Sequence, residues 1–329
     1  MGRRRGRSSI WRRGLLAAAC LLLPVQVGAA DRYALIVTGA AGGPQYAEKY
    51  DAWRTSLLRT LVDDFGYPAE HVTVLADQAG DGARSANRDN VRAALASLRQ
   101  RAAAADTVLI VLIGHGASVD GDAAKFNLVG PDLSVQEWAD LVRPLPSRVV
   151  FINTASGSFP YLEALAGRNR IIVTANDSAA QQFETVMPGF VIEALTNEAA
   201  DTDKNRKLSV WEAFSFASAS VQRWFDERGQ LATERPLLDD DGDGIGRDVE
   251  GQGADGFVAR VAYLRPDPVI PDSGNPEVDA LRRRRAALET ELDELRVRKE
   301  TQPSAQYEEA LERLLLELAR IDRRLRSGS

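Results

Sequence analysis

A histidine and a serine each stand where an aliphatic run breaks into small polar residues. Val108–Ile113 ends in Gly114-His115-Gly116, and Val149–Ile152 ends in Asn153-Thr154-Ala155-Ser156-Gly157-Ser158. Runs of this kind read as buried strands of a parallel sheet. Ligands and catalytic groups of open α/β sheets gather at the carboxyl ends of the strands, so the two side chains are expected to meet there. The chemistry open to such a pair is hydrolysis, with the His115 imidazole as base and the Ser156 hydroxyl as nucleophile. A third group must then hold the imidazole in the right tautomer, and Asp120, Asp122 and Asp177 are the acids that could approach it.

Two acidic loops could do a different chemistry. In the first, Asp201, Asp203, Asn205, Ser209 and Glu212 place oxygen side chains at positions 1, 3, 5, 9 and 12 of an EF-hand-like loop. Lys207 would offer only its carbonyl, Leu208 fills the apolar eighth position, and Arg206 stands where a glycine would ease the sharp turn. In the second, Asp239, Asp241 and Asp243 precede Gly244 and Glu250, without the apolar eighth residue. Oxygen-only ligands at this spacing suit Ca²⁺, and each loop could otherwise be a solvated acidic turn that caps a helix.

The elements that must position these groups alternate. Tyr33–Val37 reads as a first strand, and Tyr50, Trp53, Leu57, Leu61 and Phe65 recur at helical intervals, which predicts a helix over Ala47–Phe65 closed by Gly66. His71–Leu75 is a second strand, with His71 in a structural role. A helix capped near Asn87 or Asp89 carries Val91, Ala94, Leu95 and Leu98 inward. Phe126–Val129 is extended, Ser134 and Glu137 form a capping box that starts a helix through Val142, and a short helix over Tyr161–Ala166 precedes a strand over Ile171–Ala175. Strand and helix in alternation predict a parallel sheet with right-handed crossovers. Gly39, Gly42 and Gly43 after the first strand miss the spacing of a dinucleotide fingerprint.

Composition narrows the setting. Residues 1–30 hold six arginines and no acid, with an apolar run over Leu15–Val27 and small residues up to Ala30, which is the pattern of a secretory signal with cleavage near Ala30. The route, general secretion or the twin-arginine path suggested by Arg12-Arg13, is left open. A periplasmic or secreted protein is expected. Taking six arginines from a formal charge of −6 leaves about −12, which argues against a nucleic-acid partner. The single cysteine, Cys20, lies inside the leader, so the mature chain would hold no thiol. After a proline-rich linker over 265–276, Val278, Leu281, Leu288, Leu292 and Leu295, and then Leu311, Leu314, Leu318, Ile321 and Leu325, predict an antiparallel helical hairpin over 277–326. Helices of ~23 residues rise ~35 Å, enough for an arm that binds a protein partner or a second copy, or for a brace on the domain.

In the order of these motifs the chain resembles the caspase-like fold, and within it the legumain or C13 family of cysteine peptidases. The resemblance rests on Ala34-Leu-Ile-Val-Thr-Gly39, Gly66-Tyr67-Pro68, Asn87-Arg-Asp-Asn-Val91, His115-Gly116 and Ala155-Ser156-Gly157-Ser158, and covers roughly residues 33–250. It implies an α/β fold, a caspase-like three-layer sandwich over 31–264, with His115-Gly116 as the histidine motif. The family's cysteine falls on Ser156 in one register and on Thr154 in another, and its orienting Asn falls near Ala41. A cysteine beside an imidazole is ionised before substrate arrives, whereas a serine must lose its proton in the transition state to a well-held base. These departures imply a pseudopeptidase that binds a peptide or protein. An active hydrolase using Ser156 and His115, and a calcium-dependent scaffold acting through the hairpin, are the alternatives.

Overall fold

The computed structural model describes residues 30–118, 124–205, 207–251, 253–265, 273–297 and 302–327, with isolated positions 2 and 299. Nearly all of the stretch expected to be a secretory signal, Asp120, Asp122, Arg206 and most of the expected linker therefore lie outside the described residues. Seven strands form one sheet: β1 (Arg32–Thr38), β2 (Val72–Ala76), β3 (Arg84–Ser85), β4 (Thr107–Ile113), β8 (Arg148–Asn153), β9 (Arg170–Thr174) and β10 (Leu237–Asp239). Across the sheet their order is β10, β9, β8, β4, β1, β2, β3. All neighbours pair in parallel except β10, which runs antiparallel to β9. Three short strands, β5 (Gly116–Ala117), β6 (Lys125–Phe126) and β7 (Leu133–Ser134), make a separate antiparallel sheet.

Alternation along the central strands divides the core into two layers. On β1 and β4, Ala34, Ile36, Leu109, Val111 and Ile113 face the helices α1 (Pro44–Arg59), α5 (Met187–Thr196) and α6 (Val210–Asp226). Tyr33, Leu35, Val37, Val108, Ile110 and Leu112 face α2 (Arg88–Arg101), α3 (Val135–Val142) and α4 (Tyr161–Leu165). The period of two is what makes a strand buried on both faces read as a continuous apolar run. This is a mixed α/β layer structure around a mostly parallel sheet.

Local signals explain several boundaries. Asn87 caps α2 by accepting from Asn90 N, and Ser134 and Glu137 form the reciprocal capping box of α3. The first helix starts earlier than its apolar spacing predicts, at Pro44, because proline at the first turn lacks only an N–H that would be unpaired anyway. Its end over Thr60–Asp64 widens into a π turn, in which Thr60 and Leu61 are buried. His71 stacks on Tyr33 with ring centroids 4.3 Å apart, and its Nδ1 lies 3.2 Å from the carbonyl of Arg32.

The C-terminal helices α7 (Pro276–Val297) and α8 (Ser304–Ser327) pair through Leu288, Leu292, Leu295, Leu314 and Ile321. This cluster contains hairpin residues alone, and neither core layer of the sheet includes any of them. Tyr263 donates its hydroxyl to Asp293 Oδ2 of α7 at 3.2 Å. Among the described residues no helix is long and apolar enough to cross a membrane.

Candidate functional site

β4 and β8 lie side by side, with Leu112 opposite Asn153, and the loops that follow them touch. The Ser156 hydroxyl donates to the carbonyl of Gly116 at 3.0 Å and accepts from the Gly116 N–H at 3.2 Å. Gly116 makes the approach possible: a Cβ there would stand 2.3 Å from the Ser156 carbonyl oxygen and 2.9 Å from that of Lys125. The Thr154 hydroxyl, fully buried, donates to Leu112 O at 2.7 Å, and the Thr154 carbonyl accepts from Thr185 Oγ1 at 2.6 Å.

His115 is half-buried and turns to the first helix rather than to either hydroxyl. Its Nε2 lies 3.1 Å from the Tyr50 hydroxyl, and Tyr46 meets its ring edge-on with centroids 4.6 Å apart. Burial, reinforced by Glu184 and Tyr46, pushes the Tyr50 phenol well above its ordinary range, so Tyr50 stays protonated. Ala41, near which the resemblance would place an orienting Asn, is buried and its methyl side chain offers no polar group. Asp177 is engaged elsewhere, paired with Arg235 at 3.4 Å. Tyr50 was legible in the sequence only as one of an apolar stripe.

Among the described residues, three polar atoms near the Ser156 loop are buried without a partner: Ser118 Oγ, Asn176 Nδ2 and Gln181 Oε1. They are held close by backbone and side-chain hydrogen bonds. Gly157 N donates to Gln181 O at 3.0 Å, Gln182 Nε2 donates to Ser118 O, and Ser158 Oγ donates to Asn176 Oδ1 at 3.1 Å. Unmet groups of this kind cost about 1–3 kcal/mol each, which a polar ligand or water can recover. Nearby, Glu234 takes the N–H groups of Val186 and Met187 at 2.7 and 3.0 Å where α5 begins. Burial raises its carboxyl to about 7 despite those two bonds and Lys49. No motif marks Glu234 in the sequence.

No family model matches this chain, and no curated protein does. Among solved structures it is similar to the crystal structure of protein GSU0716 from Geobacter sulfurreducens. The likeness has 13% identity and a TM-score of 0.40, and covers 64% of this chain and 92% of that one.

The first acidic loop gathers Asp201, Asp203 and Glu212, whose carboxylate oxygens lie within 4.8 Å of one another. Glu212 closes it from the first turn of α6, with Oε1 accepting from Thr202 N at 2.9 Å and Oε2 from Ser209 N at 2.9 Å. Ser209 and Asn205 use their oxygens differently: Ser209 Oγ forms the capping box of α6, and Asn205 Oδ1 accepts from Lys207 N at 2.7 Å. The Lys207 ammonium sits 4.9 Å from the centre of the Tyr263 ring. Burial and the neighbouring Glu212 and Asp201 charges raise the Asp203 carboxyl, against the pull of a backbone hydrogen bond.

The second loop gathers Asp239 and Asp241 with Asp255, whereas Glu250 and Asp243 are not in that group. Asp239, fully buried at the end of β10, accepts from Gly242 N at 2.8 Å and Gly244 N at 2.6 Å. Asp243 Oδ1 accepts from Ile245 N at 2.7 Å. Asp255 accepts from Asp240 N at 2.9 Å, and burial raises it to about 6. The twelve-residue count missed Asp255 because the chain turns back beyond it, a long-range contact that no local spacing encodes. Oxygen-only donors in both clusters fit a hard cation.

Proposed function

We propose that this protein is an exported, legumain-like member of the caspase-fold proteins that has lost peptidase chemistry and works by binding a peptide or protein. One observation carries the reading: the hydroxyls of Ser156 and Thr154 are tied to the backbone carbonyls of Gly116 and Leu112, while His115 Nε2 is paired with Tyr50. A serine nucleophile needs its hydroxyl directed at the base that will take its proton, and here that proton is spent on a carbonyl. The order of motifs and the adjacency of the β4 and β8 loops support the family reading. Ser118 Oγ, Asn176 Nδ2 and Gln181 Oε1, buried and unpartnered beside the Ser156 loop, support binding, since a shift of that loop would uncover donors and acceptors for a peptide.

Calcium is the ion we assign to the acidic loops. Asp201, Asp203 and Glu212 would hold it in the first, and Asp239, Asp241 and Asp255 in the second. An exported protein meets calcium at concentrations that fill weak sites.

The mature protein should show no turnover of peptides containing Asn or Asp. Cleavage that disappears in both Ser156→Ala and His115→Ala would overturn the binding reading and establish a serine-type hydrolase. Thr154→Ala, assayed beside them, identifies the register of the nucleophile if turnover is found.

A further inference from the structure

We propose that the outward face of α8 is a self-association surface, and that its partner is α8 of a second copy in antiparallel alignment. The proposal does not depend on how the strand-end site is read. Leu311, Leu314, Leu318, Ile321 and Leu325 point α8 at α7. At ~100° per residue the opposite direction belongs to Glu309, Glu312, Leu316, Arg320 and Arg323. All five are exposed, Leu316 to 49% of its surface.

The charges on the two sides of the hairpin behave differently. Along the seam they are neutralised within the hairpin: Arg284 bridges Glu291 and Glu317, Arg285 bridges Asp322, and Arg324 bridges Glu277. Among the described residues, Glu309, Glu312, Arg320 and Arg323 form no salt bridge. Their order along the helix is acidic, acidic, apolar, basic, basic. Leu316 is the centre of that pattern, with Glu312 and Arg320 one turn to either side and Glu309 and Arg323 two turns away.

A two-fold axis through Leu316 brings each glutamate opposite an arginine of the other copy and places the two Leu316 side chains against each other. A parallel alignment would put glutamate on glutamate and arginine on arginine. Such an isologous pairing closes at two copies. Exposed ion pairs are weak one at a time and are screened by salt, so the dimer is concentration-dependent and loosens at high ionic strength.

Analytical ultracentrifugation of the mature full-length chain, over a range of concentrations and at low and high salt, tests this. The wild type should form a dimer. The double variants Glu309→Lys with Glu312→Lys, and Arg320→Glu with Arg323→Glu, should each weaken it by roughly tenfold or more. Mixing the two variants should restore dimers, because every opposing pair is then again of opposite sign. Circular dichroism of each variant should be unchanged, since the substituted positions face solvent. A wild type that stays monomeric, a dimer indifferent to both variants, or a mixture that fails to recover would overturn the proposal.

Discussion

The strand-end site and the first acidic loop resolve their electrostatics in opposite ways. At the strand ends, the polar groups that could react are neutralised by the protein itself: Ser156 by Gly116, Thr154 by Leu112 and His115 by Tyr50. In the acidic loop, three carboxylates are brought together, and the Asp203 carboxyl is raised by burial and by the neighbouring Glu212 and Asp201 charges. A catalytic centre stores reactivity by holding groups short of satisfaction, whereas a cation site stores like charge until the ion arrives. By that standard the loop is poised, and the Ser156, Thr154 and His115 side chains are at rest.

The largest effect should come from breaking the contact that puts the strand ends at rest. Gly116→Ala would drive a methyl into the Ser156 carbonyl, which is backbone and cannot turn aside. Separating the two loops should cost about 3 kcal/mol or more. In a domain of this size that lowers the melting temperature by roughly 6–12 °C, measurable by calorimetry. A variant that melts with the wild type would mean that the loops are not locked together.

The acidic loop should answer in the other direction. On the proposed assignment calcium binds only the folded state, and at about one hundred times its dissociation constant it should stabilise the fold by about 2.7 kcal/mol. Asp201→Ala with Asp203→Ala should remove that response and leave the calcium-free protein folded. A melting curve unmoved by millimolar calcium would place both regions on the same footing and end the contrast.

How much of this was legible in the sequence follows from what is local and what is not. The runs at β1, β4 and β8 announced themselves because a strand buried on both faces has no polar residues to interrupt it, and Ser134 with Glu137 announced α3 because a capping box is complete within four residues. The hairpin seam was equally visible, since a heptad repeat is a local pattern. β10 was missed: three residues added antiparallel to β9 give no period to detect. Tyr50, Glu234 and Asp255 were missed for a related reason, because each acts on a residue far along the chain. Tyr50 sits among apolar helix positions, and only its hydroxyl, meeting His115 after 65 intervening steps, distinguishes it from core.

Glu234 provides a pH test that touches the edge of the strand-end site. Its carboxyl is raised to about 7, chiefly by burial. The folded state thus holds this proton more tightly than the unfolded chain, whose carboxyl titrates near ~4.3. Its contribution to stability is complete below the unfolded value and is lost as pH rises through about 7. Thermal stability should therefore decline from about pH 5 to about pH 8, with Glu234 responsible for about 2 kcal/mol of the change. Glu234→Gln should flatten the slope, at the expense of one of the two backbone N–H groups of Val186 and Met187 near acid pH. Equal slopes for wild type and variant would show that Glu234 titrates as an ordinary surface acid.

The smallest effect, and the one that sharpens the contrast most, belongs to Tyr50→Phe. The phenyl ring keeps the packing of a residue that is only 4% exposed, so the change removes one hydrogen bond to His115 Nε2 and little else. A neutral hydrogen bond is worth about 1 kcal/mol, and His115 is open enough for water to replace part of it, so the loss should be at most that. Tyr46→Phe is the matched control, because Tyr46 meets the imidazole ring against ring, at an interplanar angle of 87°. It should melt with the wild type. If His115 were a base held back only by Tyr50, releasing it would bring turnover of a peptide or ester substrate. No turnover is expected from Tyr50→Phe, because the Ser156 hydroxyl still donates to Gly116 O and has no proton to offer the freed imidazole. Activity gained in this variant, and lost again when Ser156→Ala is added, would show that the strand ends are restrained rather than at rest.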